Sequence, residues 1–350
     1  MSAALRVVSP GLMTTVQDLG RVGYQRLGIP VGGALDSLSL RAANLMVGNP
    51  PDAGALEIVV QGPVLKLEGA SARIGLAGAE AEVALLDEAL GARQALGVGR
   101  SVRLRGGDVV RVGALSRPGA LYLAVEGGFD IPPALGSLST YLRGGFGGWQ
   151  GRALAPDDLL PLAKGEAPER AELVLDARDL APIRRFRVLE GPQGDYLSPE
   201  ERELFFRREY VVGFGWSRMG MRLEGEKLRL ARGHDVASDG VVRGSIQVPG
   251  DGLPIVLLAE HQTTGGYPKI GVVISADLPA LGRVGPGSKI GFELVTLEEA
   301  EAAARAFAAV VEKLPARLAP LAPAPPLDLA ARLREANLVS GVIDAQAFLS

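Results

Sequence analysis

Short apolar runs, each closed by glycine or proline, recur along this chain. They include LEIVVQG, ARIGLAG and ALYLAVEGG in the first half, and PIVLLAE, GVVIS and KIGFELV in the second. The 47 glycines and 24 prolines punctuate these runs and favour short strands joined by tight turns. Because apolar–polar alternation within the runs is imperfect, we expect closed, well-buried barrels rather than one-sided sheets. The pattern therefore predicts a mainly β protein with few helices.

Composition narrows the class of protein. A chain of 350 residues has room for two domains, and 47% apolar residues with a net charge of −3 are typical of a globular protein. There is no 18-residue apolar run and no signal-peptide core, so we expect a cytoplasmic protein without membrane contact. The lack of cysteine excludes disulfides, iron–sulfur clusters and cysteine nucleophiles. Without a basic stripe, no nucleic-acid partner is expected.

Three segments carry helix signals. Asp36 is a candidate N-cap for a helix that ends at Gly48. Thr296 and Glu299 form a capping-box pattern for a second helix that ends at Pro315. A third helix, DLAARLREANL, follows the proline-rich spacer PARLAPLAPAPP, which should be stiff and extended.

These signals predict the domain organisation. An amino-terminal lobe spans residues 1–180, a carboxy-terminal lobe spans 181–296, and a helical extension with its proline-rich linker spans 297–350. The boundary between the lobes should lie within ELVLDARDLAPIRRFRVLEGP.

The common cofactor signatures are missing. The sequence has no G-x-x-x-x-G-K-[ST] loop, no G-x-G-x-x-G between a strand and a helix, and no H-E-x-x-H. The glycine-rich stretch 144–151 does not open a predicted helix. With only His234 and His261, a closely spaced histidine metal site is impossible and a serine triad has few candidate bases. We therefore predict no metal ligands and assign no catalytic residue.

Polar side chains concentrate in four loops, of which the first spans residues 14–36. Asp18 and Arg21 can pair and brace a glycine turn there, while Gln17 and Tyr24 offer neutral hydrogen bonds. A braced hairpin with no further role is the alternative.

The second and third loops lie near the middle of the chain. Ser137, Ser139, Thr140 and Tyr141 form a hydroxyl run beside flexible glycines that could let a ligand approach the backbone. Arg218, between glycines, could clamp a carboxylate or phosphate bidentately, or could form a structural ion pair.

The fourth loop, AEHQTTGGYPKIG, combines many hydrogen-bonding groups with little bulk. This inventory suits a small polar substrate with amide and carboxylate groups, although a tight turn with satisfied hydroxyls would also explain it. The candidate substrate-binding residues are Gln17, Arg21, Ser139, Thr140, Arg218, Gln262, Thr263, Thr264, Gly265, Gly266, Tyr267 and Lys269.

Several motifs, taken in order, identify a family resemblance. GLMTTVQDLGRVGYQRLGIP, GSLSTY, SRMGMRL, GSIQVPGDGLPIVL and QTTGGYPKI together resemble the allophanate-hydrolase subunit 2 family. That family includes the C subunit of bacterial 5-oxoprolinase, an antagonist of a sporulation-kinase inhibitor, and a carboxyltransferase segment of urea carboxylase.

The resemblance implies a pair of cyclophilin-like β-barrel lobes and a B subunit, encoded separately or fused. In the oxoprolinase system, the A, B and C subunits together open 5-oxoproline to glutamate with ATP hydrolysis, so ATP would be a cofactor of the assembled complex. In urea carboxylase the homologous segment transfers a carboxyl group from biotin to urea. This chain lacks the A-M-K-M biotinyl motif, so biotin would have to arrive on a separate carrier.

Three departures from the family pattern affect the predicted site. Leu138 stands where an arginine is common, Glu260-His261 where an aspartate and a variable residue are common, and Gly32 where serine is usual. The change at Leu138 removes a cation that could hold a substrate carboxylate, for which Arg218 and Lys269 could compensate.

Three functions follow as hypotheses. The first is the C subunit of an ATP-dependent 5-oxoprolinase, inactive alone and dependent on A and B subunits. The second is a biotin-dependent carboxyltransferase acting on urea or a similar small amide. The third is a regulatory protein that antagonises a histidine-kinase inhibitor.

Overall fold

Strands dominate the computed structural model, which describes residues 3–87 and 91–322. The predicted mainly β fold is confirmed. The first twelve strands are β1 Ala4–Ser9, β2 Thr15–Gln17, β3 Ala55–Val59, β4 Val64–Glu68, β5 Ser71–Gly78, β6 Ala81–Asp87, β7 Gly91–Leu96, β8 Arg100–Arg105, β9 Val109–Leu115, β10 Ala120–Val125, β11 Leu159–Pro161 and β12 Leu173–Leu175. The remaining strands are β13 Arg185–Glu190, β14 Glu209–Val212, β15 Gly220–Glu224, β16 Asp239–Gly240, β17 Ser245–Gln247, β18 Ile255–Leu257, β19 Thr264–Gly265, β20 Lys269–Val273, β21 Lys289–Leu294 and β22 Leu318–Pro320.

Helices are few. The α-helices are α1 Ser37–Met46, α2 Pro199–Arg207, α3 Leu278–Leu281 and α4 Leu297–Lys313. Short 3₁₀ turns occupy Gln25–Leu27, Ala177–Leu180, Gly194–Tyr196 and Leu314–Arg317. The predicted caps of α1 and α4 are present, because Asp36 accepts from two first-turn amides and Thr296 and Glu299 form a reciprocal capping box.

Helix α2 was not predicted, although its start carries an ordinary signal. Ser198 accepts from the Glu201 amide and Pro199 occupies the first turn. The segment SPEERELFF buries only Phe205, so it has no long apolar stripe that would mark it as a helix.

The amino-terminal strands form two sheets. A six-stranded sheet has the order β11-β1-β4-β9-β6-β7, and a seven-stranded sheet has the order β2-β3-β10-β5-β8-β12-β22. Their inner faces enclose one apolar core, which includes Leu5, Leu65, Ile58 and Leu123. Where a closed barrel was expected, the two sheets remain distinct among the described residues. Single β-bridges, Gln61 with Ala114 and Phe129 with Leu162, connect their edges, and apolar side-chain packing joins their inner faces.

The carboxy-terminal strands form a closed barrel, as expected, in the order β13-β20-β17-β18-β15-β14-β21. The barrel closes where β13 and β21 pair in parallel, with Phe186 opposite Phe292. Strands β16 and β19 make a separate two-stranded ribbon. A second core runs from α1 and the outer face of the seven-stranded sheet into this barrel, so the two lobes share packed apolar surface.

The chain returns to the amino-terminal lobe at its described end. Strand β22 pairs antiparallel with β12, placing Leu318 opposite Leu175. Residues 318–320 of the proline-rich spacer are therefore extended, as predicted, and are docked in a sheet, whereas the start of the spacer lies in the 3₁₀ turn Leu314–Arg317. The predicted helix DLAARLREANL lies outside the described residues, and the predicted domain boundaries at 180/181 and 296/297 stay predictions. Within the described part of the chain, no helix is long and apolar enough to cross a membrane.

Candidate functional site at the junction of the two lobes

Arg218, just before β15, is buried at the contact between the lobes. It donates from Nε to Glu260 at 2.5 Å, from Nη2 to the Gly33 carbonyl at 2.7 Å, and from Nη1 to the Glu57 carboxylate. Burial would lower the pKa of the Arg218 guanidinium, but Glu57 and Glu260 outweigh it and raise that pKa. Arg218 therefore binds two carboxylates and one carbonyl of the protein itself, which matches the structural alternative; its role in substrate binding stays a prediction.

Glu57 and Tyr122 extend this network into the amino-terminal lobe. The second oxygen of Glu57 accepts from the Tyr122 hydroxyl at 2.6 Å and from the Leu35 amide at 2.8 Å. The same hydroxyl accepts from the Asp36 amide at 2.9 Å. Burial and the neighbouring Glu57 raise the pKa of Tyr122 well above its usual value, so the phenol remains a hydrogen-bond donor.

Sequence reasoning missed both residues, although a signal existed. Glu57 is the only charge in the strand ALEIV, and Tyr122 is the only hydroxyl in ALYLAV. A lone polar group in a fully buried strand needs a partner, and here each supplies the other.

Two further arginines of the barrel lobe hold the turn before α1. Arg243 donates to the carbonyls of Ala34 at 3.1 Å and Leu35 at 2.5 Å. Arg283 donates two hydrogen bonds to the Asp36 carboxylate, from Nε at 2.7 Å and from Nη2 at 3.1 Å. The cap of α1 is thereby also an inter-lobe ion pair, which fixes this turn against the barrel.

Asp18 organises the hydroxyl run of the second loop. Its carboxylate accepts from four donors, at 2.5–2.7 Å: the hydroxyls of Ser137 and Ser139 and the amides of Leu138 and Gly20. The predicted pairing of Asp18 with Arg21 is wrong, because these donors occupy the carboxylate and no ion pair joins the two among the described residues. Both side chains instead brace the same segment.

Arg21 is buried beside Ser139, under the glycine-rich loop. Its Nη2 donates to the Ser139 carbonyl, and the Phe146 ring centroid lies 5.0 Å from its guanidinium carbon. Its Nε and Nη1 find no hydrogen-bond partner in the described structure. Desolvation lowers the pKa of Arg21, against the opposing influence of Asp18 and Glu260.

Glycines let the loop close over Arg21. Gly147 and Gly148 have φ of 74° and 54°, in the region that favours glycine. A Cβ on Gly147 would clash with the Ser139 carbonyl oxygen, and one on Gly148 would clash with the Thr140 hydroxyl. The loop therefore packs its backbone directly on the hydroxyl run.

Gln17 and Thr140 are buried beside this loop. Gln17 Nε2 donates to the Thr140 carbonyl at 3.2 Å and to the Thr15 hydroxyl at 3.0 Å, while the Thr140 hydroxyl donates to the Val16 carbonyl at 3.0 Å. These bonds attach the second loop to β2.

The fourth loop forms a ribbon at one end of the barrel. Thr264 and Gly265 pair with β16, and the Thr263 and Gly266 carbonyls accept from the Val241 and Val236 amides. The side chains of Thr264 and Tyr267 are exposed, and Gln262 donates to Gln247 at 3.1 Å. The loop thus offers a hydroxyl and a phenol to solvent from a hydrogen-bonded frame.

Lys269 anchors this ribbon from below. Its buried Nζ donates to Asp239 at 2.5 Å and to the Gly240 carbonyl at 3.0 Å. The hydrogen bond from Lys269 lowers the pKa of Asp239. The positive charge of Lys269, which we expected to bind a substrate, is therefore already paired with an exposed carboxylate of the ribbon, that of Asp239.

Most of the predicted site residues fall into two groups, one in each lobe; Arg218 belongs to neither, since it lies at the contact between the lobes. Gln17, Arg21, Ser139 and Thr140 lie together. The second group, which forms or adjoins the ribbon, comprises Gln262, Thr263, Thr264, Gly265, Gly266, Tyr267 and Lys269. No hydrogen bond or ion pair connects these groups across the residues that the structure describes; the loops themselves meet where the Gly32 amide donates to the Ala259 carbonyl at 3.2 Å. No group of three or more potential metal-ligating side chains occurs in residues 3–87 and 91–322.

Comparison with known proteins identifies the family of this chain. The family described as "Carboxyltransferase domain, subdomain A and B" matches residues 27–294. The chain belongs to the carboxyltransferase domain family. Its predicted kinship with the oxoprolinase and urea carboxylase proteins is thereby confirmed.

Members of this carboxyltransferase family differ in how much chain surrounds the shared part. The chain is 37% identical to the C subunit of 5-oxoprolinase from Escherichia coli over 302 residues, covering 85% of this chain and 93% of that protein. It is 33% identical to urea amidolyase of Lachancea kluyveri, covering 89% of this chain but 18% of that protein. The crystal structure of the K. lactis urea amidolyase superposes with a TM-score of 0.79 at 28% identity, over 89% of this chain and 20% of the other.

Proposed function

We propose that this chain is the C subunit of an ATP-dependent 5-oxoprolinase and helps to open 5-oxoproline to glutamate together with A and B subunits. The observation that carries the proposal is the match to a relative named as the C subunit of 5-oxoprolinase, which extends over 85% of this chain and 93% of that relative. The relative and this chain therefore correspond in nearly their full lengths.

The chain's own polar groups fit a role in positioning the substrate. The lactam of 5-oxoproline offers one donor and one acceptor, and its carboxylate offers an anion; hydroxyls, carboxamides and cations are suitable partners for all three. Among the hydroxyls of the fourth loop, those of Thr264 and Tyr267 belong to exposed side chains. Positioning is effective when water is excluded, and we assign that second wall to the B subunit.

Residues 3–87 and 91–322, which the structure describes, do not form a phosphate loop. The glycine-rich stretch 144–151 is followed by turns and then by β11, not by a helix whose N-terminus could receive a phosphate. We therefore assign ATP to the assembled complex and no step of its hydrolysis to this chain. Because ATP is a cytoplasmic substrate, we place the enzyme in the cytoplasm.

A biotin-dependent carboxyltransferase is the second candidate. The family description and the superposition on urea amidolyase favour it. Since the sequence has no A-M-K-M motif, this function would require a biotin carrier from another chain, with urea or a similar small amide as acceptor.

Reconstitution tests the proposal. The purified chain should show no 5-oxoproline hydrolysis and no ATPase activity, and both should appear when A and B subunits are added. Deleting the gene should abolish growth on 5-oxoproline. Full turnover by A and B without this chain would refute the assignment, and carboxylation of urea with a biotin carrier would favour the second candidate.

A further inference from the structure

Arg21 is a buried cation with unused donors. Only 2% of its surface is exposed, yet neither Nε nor Nη1 has a hydrogen-bond partner among the described residues. A buried charge is ordinarily both paired and hydrogen-bonded. The Nε and Nη1 donors of Arg21 depart from this rule, and no residue that the structure describes accepts from them.

The nearby carboxylates do not serve as its counter-ions. Asp18 and Glu260 favour the charged form of Arg21 electrostatically, but neither forms an ion pair with it in the described structure. Asp18 is committed to the hydroxyl run, and Glu260 is committed to Arg218. The charge on Arg21 is therefore available to an anion from outside the chain.

We propose that Arg21 receives the carboxylate of the substrate, a small lactam acid, and that the loop 143–148 moves aside to admit it. This proposal rests on the proposed function and deepens it. A neutral small amide would not require this cation. A lactam acid would bring the acceptor oxygens that Nε and Nη1 lack.

The loop is suited to such a movement. Arg143, Gly144 and Gly145 are exposed, and Phe146 contributes the ring that covers the guanidinium. A Cβ on Gly147 would lie 2.8 Å from Nη2 of Arg21, so the backbone of the loop also runs close to the guanidinium. Displacing Phe146 would give up its ring contact with Arg21, its edge-to-face contact with Tyr141 and its backbone bridge to Tyr141. A carboxylate paired with the cation would offset this loss.

A pair of ligands distinguishes recognition of the carboxylate from binding of the ring. Calorimetric titrations of the full chain, and of the chain assembled with A and B subunits, would use 5-oxoproline and 2-pyrrolidinone, the same lactam without the carboxylate. Arg21→Gln should bind 5-oxoproline about tenfold or more weakly, the loss expected for one charge-assisted hydrogen bond. Affinity for 2-pyrrolidinone should not change, and Arg117→Gln, which removes an exposed arginine of the same lobe, should leave both affinities unchanged.

A second pair of variants tests the loop and leaves Arg21 in place. Gly147→Ala introduces the clash with Ser139, whereas Gly145→Ala carries similar backbone strain, with φ of 65°, and meets no atom within 4 Å. Gly147→Ala should speed amide hydrogen exchange over 143–151 more than Gly145→Ala does. Adding 5-oxoproline to the wild-type chain should also change exchange in this segment.

Three results would overturn the inference. They are equal 5-oxoproline affinity of wild type and a folded Arg21→Gln, equal loss of both ligands in that variant, and no binding of 5-oxoproline by either the chain or the complex. Carboxylate binding that depends on Arg21, without turnover in the presence of A and B, would instead refute the proposed function and leave this site standing.

Discussion

Arg218 of the barrel lobe donates to the carboxylate of Glu57 in the amino-terminal lobe, across 161 positions of sequence. Glu57 also binds Tyr122, and Arg218 also binds Glu260. The four side chains form one buried network, so the relative position of the lobes is determined by polar contacts as well as by the shared apolar core.

Arg218→Met should destabilise the protein strongly. The variant leaves Glu57 and Glu260 buried without their cation, and breaking a buried pair in this way costs about 3–5 kcal/mol. Urea denaturation measures the change in free energy of unfolding. The control is Arg222→Met, which removes a much more exposed pair with Asp251 and should cost about 0–1 kcal/mol. Equal losses in the two variants would contradict the assigned role of the network.

Asp18→Ala should cost more than an exposed ion pair would. The variant leaves the hydroxyls of Ser137 and Ser139 and two amides without their acceptor, and bonds to a charged group contribute about 1.5–3 kcal/mol each. We expect a loss of at least about 2 kcal/mol, with faster hydrogen exchange at the Leu138 amide. Asp52→Ala, at an exposed site, should change stability by less than about 0.5 kcal/mol; a similar value for Asp18→Ala would argue against the bracing role.

His261 should make stability depend on pH in a defined window. Burial lowers the pKa of His261, and Arg243 lowers it further, against an opposing hydrogen bond with the Gln262 carbonyl. In the unfolded chain the pKa is about 6.5, so the unfolded state takes up the proton first as the pH falls. This contribution to stability is complete above about pH 7 and is lost progressively below about pH 6.5.

The chain provides its own control for this effect, since it has only two histidines. His261→Gln should flatten the dependence of melting temperature on pH between about 5 and 7. His234→Gln, at an exposed position, should leave that dependence as in the wild type. A slope that survives in His261→Gln would exclude His261 as its cause.

Thr264→Ala and Tyr267→Phe should reduce activity without affecting the fold. Both side chains are exposed on the ribbon, so their hydroxyls can be removed without leaving a buried group unpaired. If they contact the substrate, turnover of the assembled enzyme should fall by about tenfold or more, while the melting temperature stays constant. Tyr196→Phe, remote in sequence from the ribbon, should retain wild-type turnover, and wild-type turnover in both ribbon variants would remove them from the site.

Local signals predicted local structure well. The caps at Asp36 and Thr296 act within one helical turn, so the necessary information lies within a few residues. Closure of a barrel depends instead on which distant strands form hydrogen bonds. The same strand rhythm therefore produced a closed barrel in one lobe and, in the other, two sheets connected by isolated bridges.

The site was harder to predict because its pairs are remote. Asp18 and Arg21 are near in sequence and of opposite charge, yet each binds the segment around Ser139, about 120 residues later. Glu57 and Tyr122 were overlooked because each stands alone in an apolar strand. They lie opposite each other in the paired strands β10 and β3, and their further partner Arg218 comes from the barrel lobe, so the network becomes visible only in the folded chain.

The pairing of β22 with β12 has a consequence for synthesis. During translation, the last strand of the seven-stranded sheet cannot pair until residues 318–320 have been synthesised. By then the whole barrel, from β13 to β21, has left the ribosome. Until that moment β12 meets β8 at a single pair, Val174 with Arg100, and its other edge is open to pairing with another chain. The lobe that is made first is thus the lobe that is completed last.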